Sequence, residues 1–318
     1  MLQDVKSYIG RCFAMKDLGE AAYILGIKIY RDRSKWLIGL CQSAYIEKIL
    51  KRFFMENSKR GSIPMQEKLK LSKSQGASTP AEVKRMHNVP YALAVGSIIY
   101  AVRCTRPEVA FAQNITSRFQ QNPGELHLTA VKNILKYLPN TKDMFLVYEG
   151  DIKLELRVSC YTNVGYLTDA DDLKSQTGYV FVLNGGVVDW KSTKQSIFAT
   201  LSAEAEYIDA LDSSKEAVWV RKFISGLGVV PTIKELIKMY CDNTRAITIA
   251  NESRITKGAR HYRAKVHYLR EVIEFGDVKI EKVHTDDNLA DPFTKALAFP
   301  KHSEHTKNIG MLQASNLM

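Results

Sequence analysis

The chain has 318 residues, 45% hydrophobic and 25% charged, the balance of a soluble globular protein long enough for two cores. Lys and Arg number 45 against 34 Asp and Glu, and the excess of +11 favours a polyanionic partner, nucleic acid first, over charge kept for solubility alone. Five cysteines stand singly with no CxxC pair, so neither a disulfide framework nor a zinc site is implied and a reducing compartment is expected. The start, MLQDVKSYIGRCF, has no apolar signal core, and the longest apolar run, Tyr91–Val102, is too short for a bilayer, so no membrane association is expected.

Residues 1–13 read as the tail of a helix, and Met15–Gly19 as a turn. Ala21–Tyr30 and Leu37–Gln42, joined by charged RDRSKW, predict a β-hairpin. Ser43–Phe54 has Tyr45, Ile46, Ile49, Leu50 and Phe53 at helical spacing, with Ser43 as N-cap. Gln66–Asn88 is polar and reads as a flexible linker. Three helices follow, Tyr91–Arg103, Pro107–Phe119 and Glu125–Leu138, the last ended by Pro139–Asn140. Arg103, Arg106, Arg118 and Lys132 either clamp a nucleic-acid backbone or are solvated.

From Met144 the period changes to two. Phe145–Glu149 and Leu154–Thr162 alternate as strands, and Thr177–Leu183 and Val187–Trp190 form a hairpin across Asn184–Gly185–Gly186. Ser202–Leu227 is one long amphipathic helix closed by Gly228. Leu236–Tyr240 is a strand running into Cys241–Asp242. Short helices at Asn243–Asn251 and Asn288–Ala296, a basic helix at His261–Glu274 and a strand at Val278–Val283 complete the pattern. The order predicts a mixed sheet with helices on its faces, and the tail after Phe299 carries little pattern. Trp190 and Trp219 are expected in the core.

Carboxylates recur at the ends of these elements. Glu204 and Glu206 open the long helix, Asp242 ends a strand, and Asp291 lies in the last short helix. Two-metal phosphodiester hydrolysis needs such a cluster, because oxygen ligands must hold two divalent cations about 3.5–4 Å apart. Mg²⁺, a hard cation, prefers carboxylates to His or Cys. Taken singly, each acid is an ordinary surface group.

The segments GYVFVLNGGVVDWKSTKQSIFATLSAEAEYIDALDSSKEAVWVRKFISGLG, YCDNTRAITIAN, HYRAKVHYLREVIEFG and DDNLADPFTKAL resemble the RNase H domain of copia-type LTR retrotransposon Pol polyproteins. Upstream, MKDLGEAAYILGIKIYRD, GLCQSAYIEKILKRF, YALAVGSIIYAVRCTRPEVAFA and HLTAVKNILKYLPNTKDMFLVY resemble the end of that polyprotein's reverse transcriptase. The resemblance implies an α/β fold: an RNase H-like mixed five-stranded sheet with flanking helices, preceded by a mainly helical palm-end and thumb part. The expected division is a palm end with a primer-grip-like hairpin at 1–65, a linker at 66–90, thumb or connection-like helices at 91–143, the RNase H-like domain at 144–299 and a tail at 300–318. The family implies hydrolysis of the RNA strand of an RNA–DNA hybrid with Mg²⁺, Mn²⁺ as a substitute, in a cytoplasmic virus-like particle or the nucleus. By position, Glu206, Asp242 and Asp291 are the metal ligands; Glu204 also matches, but helical spacing turns it away from Glu206. Arg260, Arg263, Lys265 and Arg270 of the basic helix would face nucleic acid.

The family's first-strand YTD is here Tyr161–Thr162–Asn163, so Asn163 stands at the position of the first catalytic Asp. An amide offers an oxygen without charge, so hydrolysis is expected to be weak or absent. A second family acid, two residues on, is Gly165. Thr168–Asp169–Ala170–Asp171 spells a rival register, but the alternation of Leu154, Leu156, Val158 and Cys160 leads to Asn163, leaving Asp169, Asp171 and Asp172 as solvated loop acids. No YxDD-type aspartate pair is present, so polymerisation by this chain alone is not expected. His261 and His267 lie six apart, without ligand spacing for a metal. His284 is either a loop residue or one acting near product release. The alternative function is a non-catalytic nucleic-acid-binding protein that reuses the fold.

Overall fold

The computed structural model describes residues 2–17, 19–150, 157–227, 236–251 and 263–317, with the backbone alone at 2 and 263–266. Helix α1 (Leu2–Cys12) precedes strands β1 (Tyr23–Ile24), β2 (Ile27–Asp32) and β3 (Leu37–Cys41). Helices α2 (Ser43–Arg52), α3 (Pro80–His87), α4 (Tyr91–Thr105), α5 (Ala110–Ser117) and α6 (Glu125–Thr141) follow, then strand β4 (Met144–Glu149). The second half has β5 (Val158–Gly165), β6 (Gln176–Leu183), β7 (Gly186–Lys194), α7 (Ser202–Gly226), β8 (Ile237–Cys241), α8 (Thr244–Asn251), α9 (Arg263–Glu274) and β9 (Val278–Lys282). It closes with α10 (Phe299–Asn308) and β10 (Met311–Gln313).

Two five-stranded sheets result. The first runs β1-β2-β3-β4-β10 and is antiparallel throughout. The second runs β7-β6-β5-β8-β9, antiparallel from β5 to β7 and parallel from β5 to β9. This is the mixed sheet with flanking helices that the sequence predicts. Its hairpin turns through Asn184 and Gly185, at φ 50° and 79°, the left-handed pair a tight β-turn requires. One face carries Cys160, Phe181, Met239 and Ile280 against α7, α8 and α9. The other carries Val180, Val187 and the half-buried Trp190 into the core of the N-terminal helices, which reaches Phe293. The two halves therefore share one apolar interior.

Several expectations change. Residues 66–88 are built rather than loose: Leu71 and Met86 are buried, and Thr79 and Glu82 form a reciprocal capping box with Pro80 in the first turn of α3. Ser43 is the first helical residue of α2, not its cap. Pro139 does not end α6, which continues to Thr141; proline's fixed φ is helical, and so near the end it removes one hydrogen bond. The stretch 107–119 divides into a 3-10 turn and α5. The expected helix at Asn288–Ala296 is only a 3-10 turn over Asp291–Phe293.

Strand β4, expected beside the second sheet, pairs with β3 in the first. The tail is also structured: α10 buries His302, His305 and Thr306, and β10 pairs with β4. Trp219 is exposed and stacks on Phe223 at 5.2 Å between centroids, so it is not a core residue. The start of the predicted strand at 154–156, and Gly228, lie outside the described residues.

Candidate active site

Strands β5 and β8 are parallel neighbours, with Tyr161 opposite Tyr240, so Asn163 and Asp242 emerge at the same end of the sheet. Asn163 is 5% exposed. Its amide nitrogen donates to Asp291 Oδ1 at 2.6 Å and to Thr294 Oγ1 at 2.9 Å, and its backbone N–H donates to Asp209 Oδ2 at 3.1 Å. Helix α7 supplies Glu206, whose Oε2 lies 3.9 Å from Cys241 Sγ. Glu206, Cys241 and Asp242 bring ligand atoms within 4.8 Å of one another. Burial, and then the neighbouring Asp242 charge, push the Glu206 carboxyl up to about 8. Glu204 turns the other way and accepts from Thr200 N and Oγ1 at 2.8 Å, tying down the entry to α7.

The Asp291 turn is held by residues that the sequence reading did not single out. Asn288, fully buried, donates to Thr162 O at 2.8 Å and accepts from Ala290 N at 3.1 Å. Gly178 pairs with Asn163, and a Cβ there would stand 2.7 Å from Phe293 Cβ and Thr294 Cγ2. Only glycine lets the turn press so closely on β6. A Cβ on Gly165 would likewise meet Thr294 O at 2.8 Å, so the backbone leaves little room there for the acid the family pattern carries. The signal was present in the NLADPFT motif, but nothing in one sequence shows which strand it touches.

Asp291 is fully buried and surrounded by donors and cations. Lys295 and Lys301 place their ammonium groups 2.9 and 3.4 Å from Oδ2, while Asn163 takes Oδ1. Asp209, one turn beyond Glu206, is also fully buried, and desolvation raises its proton affinity well above the usual carboxylate range.

This donor set fits a pair of divalent cations poorly. Asn163 presents its N–H face to Asp291, and Asp291 is already neutralised by two ammoniums. Glu206 and Asp242 together offer oxygens for one hard cation, but the third ligand atom grouped with them is a soft thiol, and Asp242 Oδ2 already accepts from Thr285 Oγ1 at 3.0 Å.

Of the other expected residues, Asp169 is not a solvated loop acid. It is 8% exposed and pairs with Arg118 at 2.6 Å and Lys194 at 3.2 Å. Arg118 thus ties α5 to the second sheet, and it also donates to Gln176 Oε1. Arg106 is fully buried and donates to Lys142 O at 3.0 Å, so neither arginine forms a solvent-facing clamp. Arg260 and His261 lie outside the described residues; Arg263 and Lys265 lie on α9, and Arg270 donates to Ile249 O at 2.9 Å. His284 is exposed and accepts from Asp286 N at 3.3 Å. No described helix is long and apolar enough to cross a membrane.

The chain is 38% identical over 311 residues to the retrovirus-related Pol polyprotein from transposon TNT 1-94 of Nicotiana tabacum, covering 98% of this chain and 23% of that protein. It is 30% identical over 313 residues to the corresponding polyprotein from transposon RE1 of Arabidopsis thaliana, covering 98% and 20%. The chain belongs to the Pol polyproteins of copia-type LTR retrotransposons. It spans about a fifth to a quarter of the length of these Pol relatives. No family model matches it. Among solved structures, the RNase H1 LC11, isolated from compost by a metagenomic approach, is similar with a TM-score of 0.34 and 14% identity, covering 44% of this Pol chain and 94% of that one. The second sheet, with α7, α8 and α9 packed on one face, is the part of this Pol chain that carries Asn163, Glu206 and Asp242.

Proposed function

We propose that this Pol chain uses its RNase H-like region to hold an RNA–DNA hybrid, and that hydrolysis of the RNA strand is impaired at Asn163. The observation that carries the reading is the amide nitrogen of Asn163 donating to Asp291 at 2.6 Å, where the family's chemistry needs a second negative oxygen. A site that has exchanged an acceptor for a donor cannot gather two dications. Losing one ligand charge costs on the order of 10²-fold in rate. Glu206, Asp242 and Asp291 keep the family positions, and a single Mg²⁺ or Mn²⁺ on Glu206 and Asp242 would do no more than screen their charge. The net charge of +11 supports a nucleic-acid partner, and a cytoplasmic virus-like particle or the nucleus is the location proposed for it.

The test is binding and cleavage of a labelled RNA–DNA hybrid, with Mg²⁺ or Mn²⁺, by this chain and by Asn163→Asp. Salt-sensitive binding is expected from both, with cleavage by the unaltered chain at least about 10²-fold below that of the variant. Robust cleavage by the unaltered chain would overturn the impairment, and an absence of hybrid binding would overturn the whole reading.

A further inference from the structure

We propose that a groove of about 300 Å³ beside the carboxylate cluster receives the phosphodiester backbone of one nucleic-acid strand as it passes beyond the site. The inference rests on the hybrid-binding reading above and adds a second contact region to it. The groove is walled by the segment at 65–71, by α5, by the loop at 167–170 and by residues 294–296. It shares a wall with the site, because Thr294 accepts from Asn163 and Lys295 pairs with Asp291.

Its charge is one-sided. Lys68, Lys70, Lys295 and Arg118 line it against a single carboxylate, Asp169. Asp169 is consumed by Arg118 and Lys194. Lys68 and Lys70 are exposed, and no carboxylate pairs with either among the described residues. Their ammoniums are therefore available to an incoming anion, and the half-buried Phe111 and Ile115 offer an apolar floor for sugar or base.

A strand of phosphates matches lysines on a rim above an apolar floor on which a base or sugar can rest.

The experiment measures affinity for a labelled RNA–DNA hybrid across a salt series. It compares the unaltered chain with Lys68→Ala/Lys70→Ala, and with Lys48→Ala/Lys51→Ala on α2 as an equal-charge control outside the groove. The groove variant should bind about 10-fold more weakly at low salt and lose roughly 2 units from the slope of log affinity against log salt, with an unchanged melting temperature. The control should move neither quantity comparably. A groove variant that binds hybrid with the unaltered slope overturns the groove and leaves the RNase H-like reading standing. Equal losses in both double variants overturn it too, by reducing the effect to net charge. If the unaltered chain binds no hybrid, both readings fall together.

Discussion

Replacing Asn163 by Asp exchanges a hydrogen-bond donor for a negative oxygen inside a buried contact. In the present structure that nitrogen serves Asp291 at 2.6 Å and Thr294 at 2.9 Å. The substitution deletes a bond to a charged acceptor, about 1.5–3 kcal/mol, and sets two carboxylates against each other. Lys295 and Lys301 offset part of that repulsion from the far side of Asp291. A net loss of about 2 kcal/mol is expected in chelator, a fall of roughly 3 °C in melting temperature for a chain of this length. Added Mg²⁺ or Mn²⁺ should reverse much of it, because a dication between the carboxylates turns repulsion into ligation, and ligand binding to the folded state alone raises stability. The unaltered chain should shift much less. Differential scanning fluorimetry across a metal titration reads both effects. A variant as stable as the unaltered chain in chelator, with no metal response in either, would refute the account of this contact.

Asp169→Asn should cost about 2–4 kcal/mol by urea denaturation, because it strands the largely buried Arg118 between the two halves, whereas Asp171→Asn should cost under about 1 kcal/mol. Equal, small losses would return Asp169 to the status of a surface acid. One buried group works against stability on mild acidification, opposing the buried carboxyls Glu206 and Asp209, whose raised proton affinity favours the folded chain as pH falls. Burial lowers His302 to about 4, below its unfolded value near 6.5, so the unfolded chain binds the extra proton as pH falls from about 6.5 to 4, and this group alone costs up to about 3 kcal/mol across that window. His302→Phe should remove that cost, making the variant gain stability relative to the unaltered chain in melting curves from pH 7 to 6 to 5; a difference that does not change with pH would refute the role of His302.

The second sheet was legible because β8 and β9 alternate, β6 carries an apolar run, and Asn-Gly turns have one dominant geometry. Alternation from Leu154 to Cys160 led to Asn163 rather than Asp169 as the residue at the strand end. What failed to read was burial of polar groups by distant partners. Arg106 and Arg118 look like any surface arginines until Lys142, Gln176 and Asp169 are seen around them. Residues 66–88 look loose because few of them are apolar, yet Leu71 and Met86 are buried and distant partners hold the backbone, His127 Nε2 at 3.0 Å from Ser72 O and Lys73 N donating to Asp171 at 2.9 Å. The role of Asn288 depends on a contact with Thr162, 126 positions away, that local pattern does not encode. Trp219 misled in the opposite sense, as a large aromatic on the water-facing side of α7.

Strand β10 has a consequence for the order in which this chain can be made. Met311–Gln313 completes a sheet whose other members all lie before residue 150. During synthesis, β4 leaves the ribosome with one side still unpaired, and it stays so while some 160 further residues are added. An open strand edge in a nascent chain invites mispairing. The Asn184–Gly186 turn offers interim cover, since Glu149 N donates to Asn184 O at 3.0 Å and Tyr148 Oη to Val187 O at 2.8 Å. Translation speed over the roughly 160 codons between β4 and β10 thus bears on how long the first sheet waits to be closed.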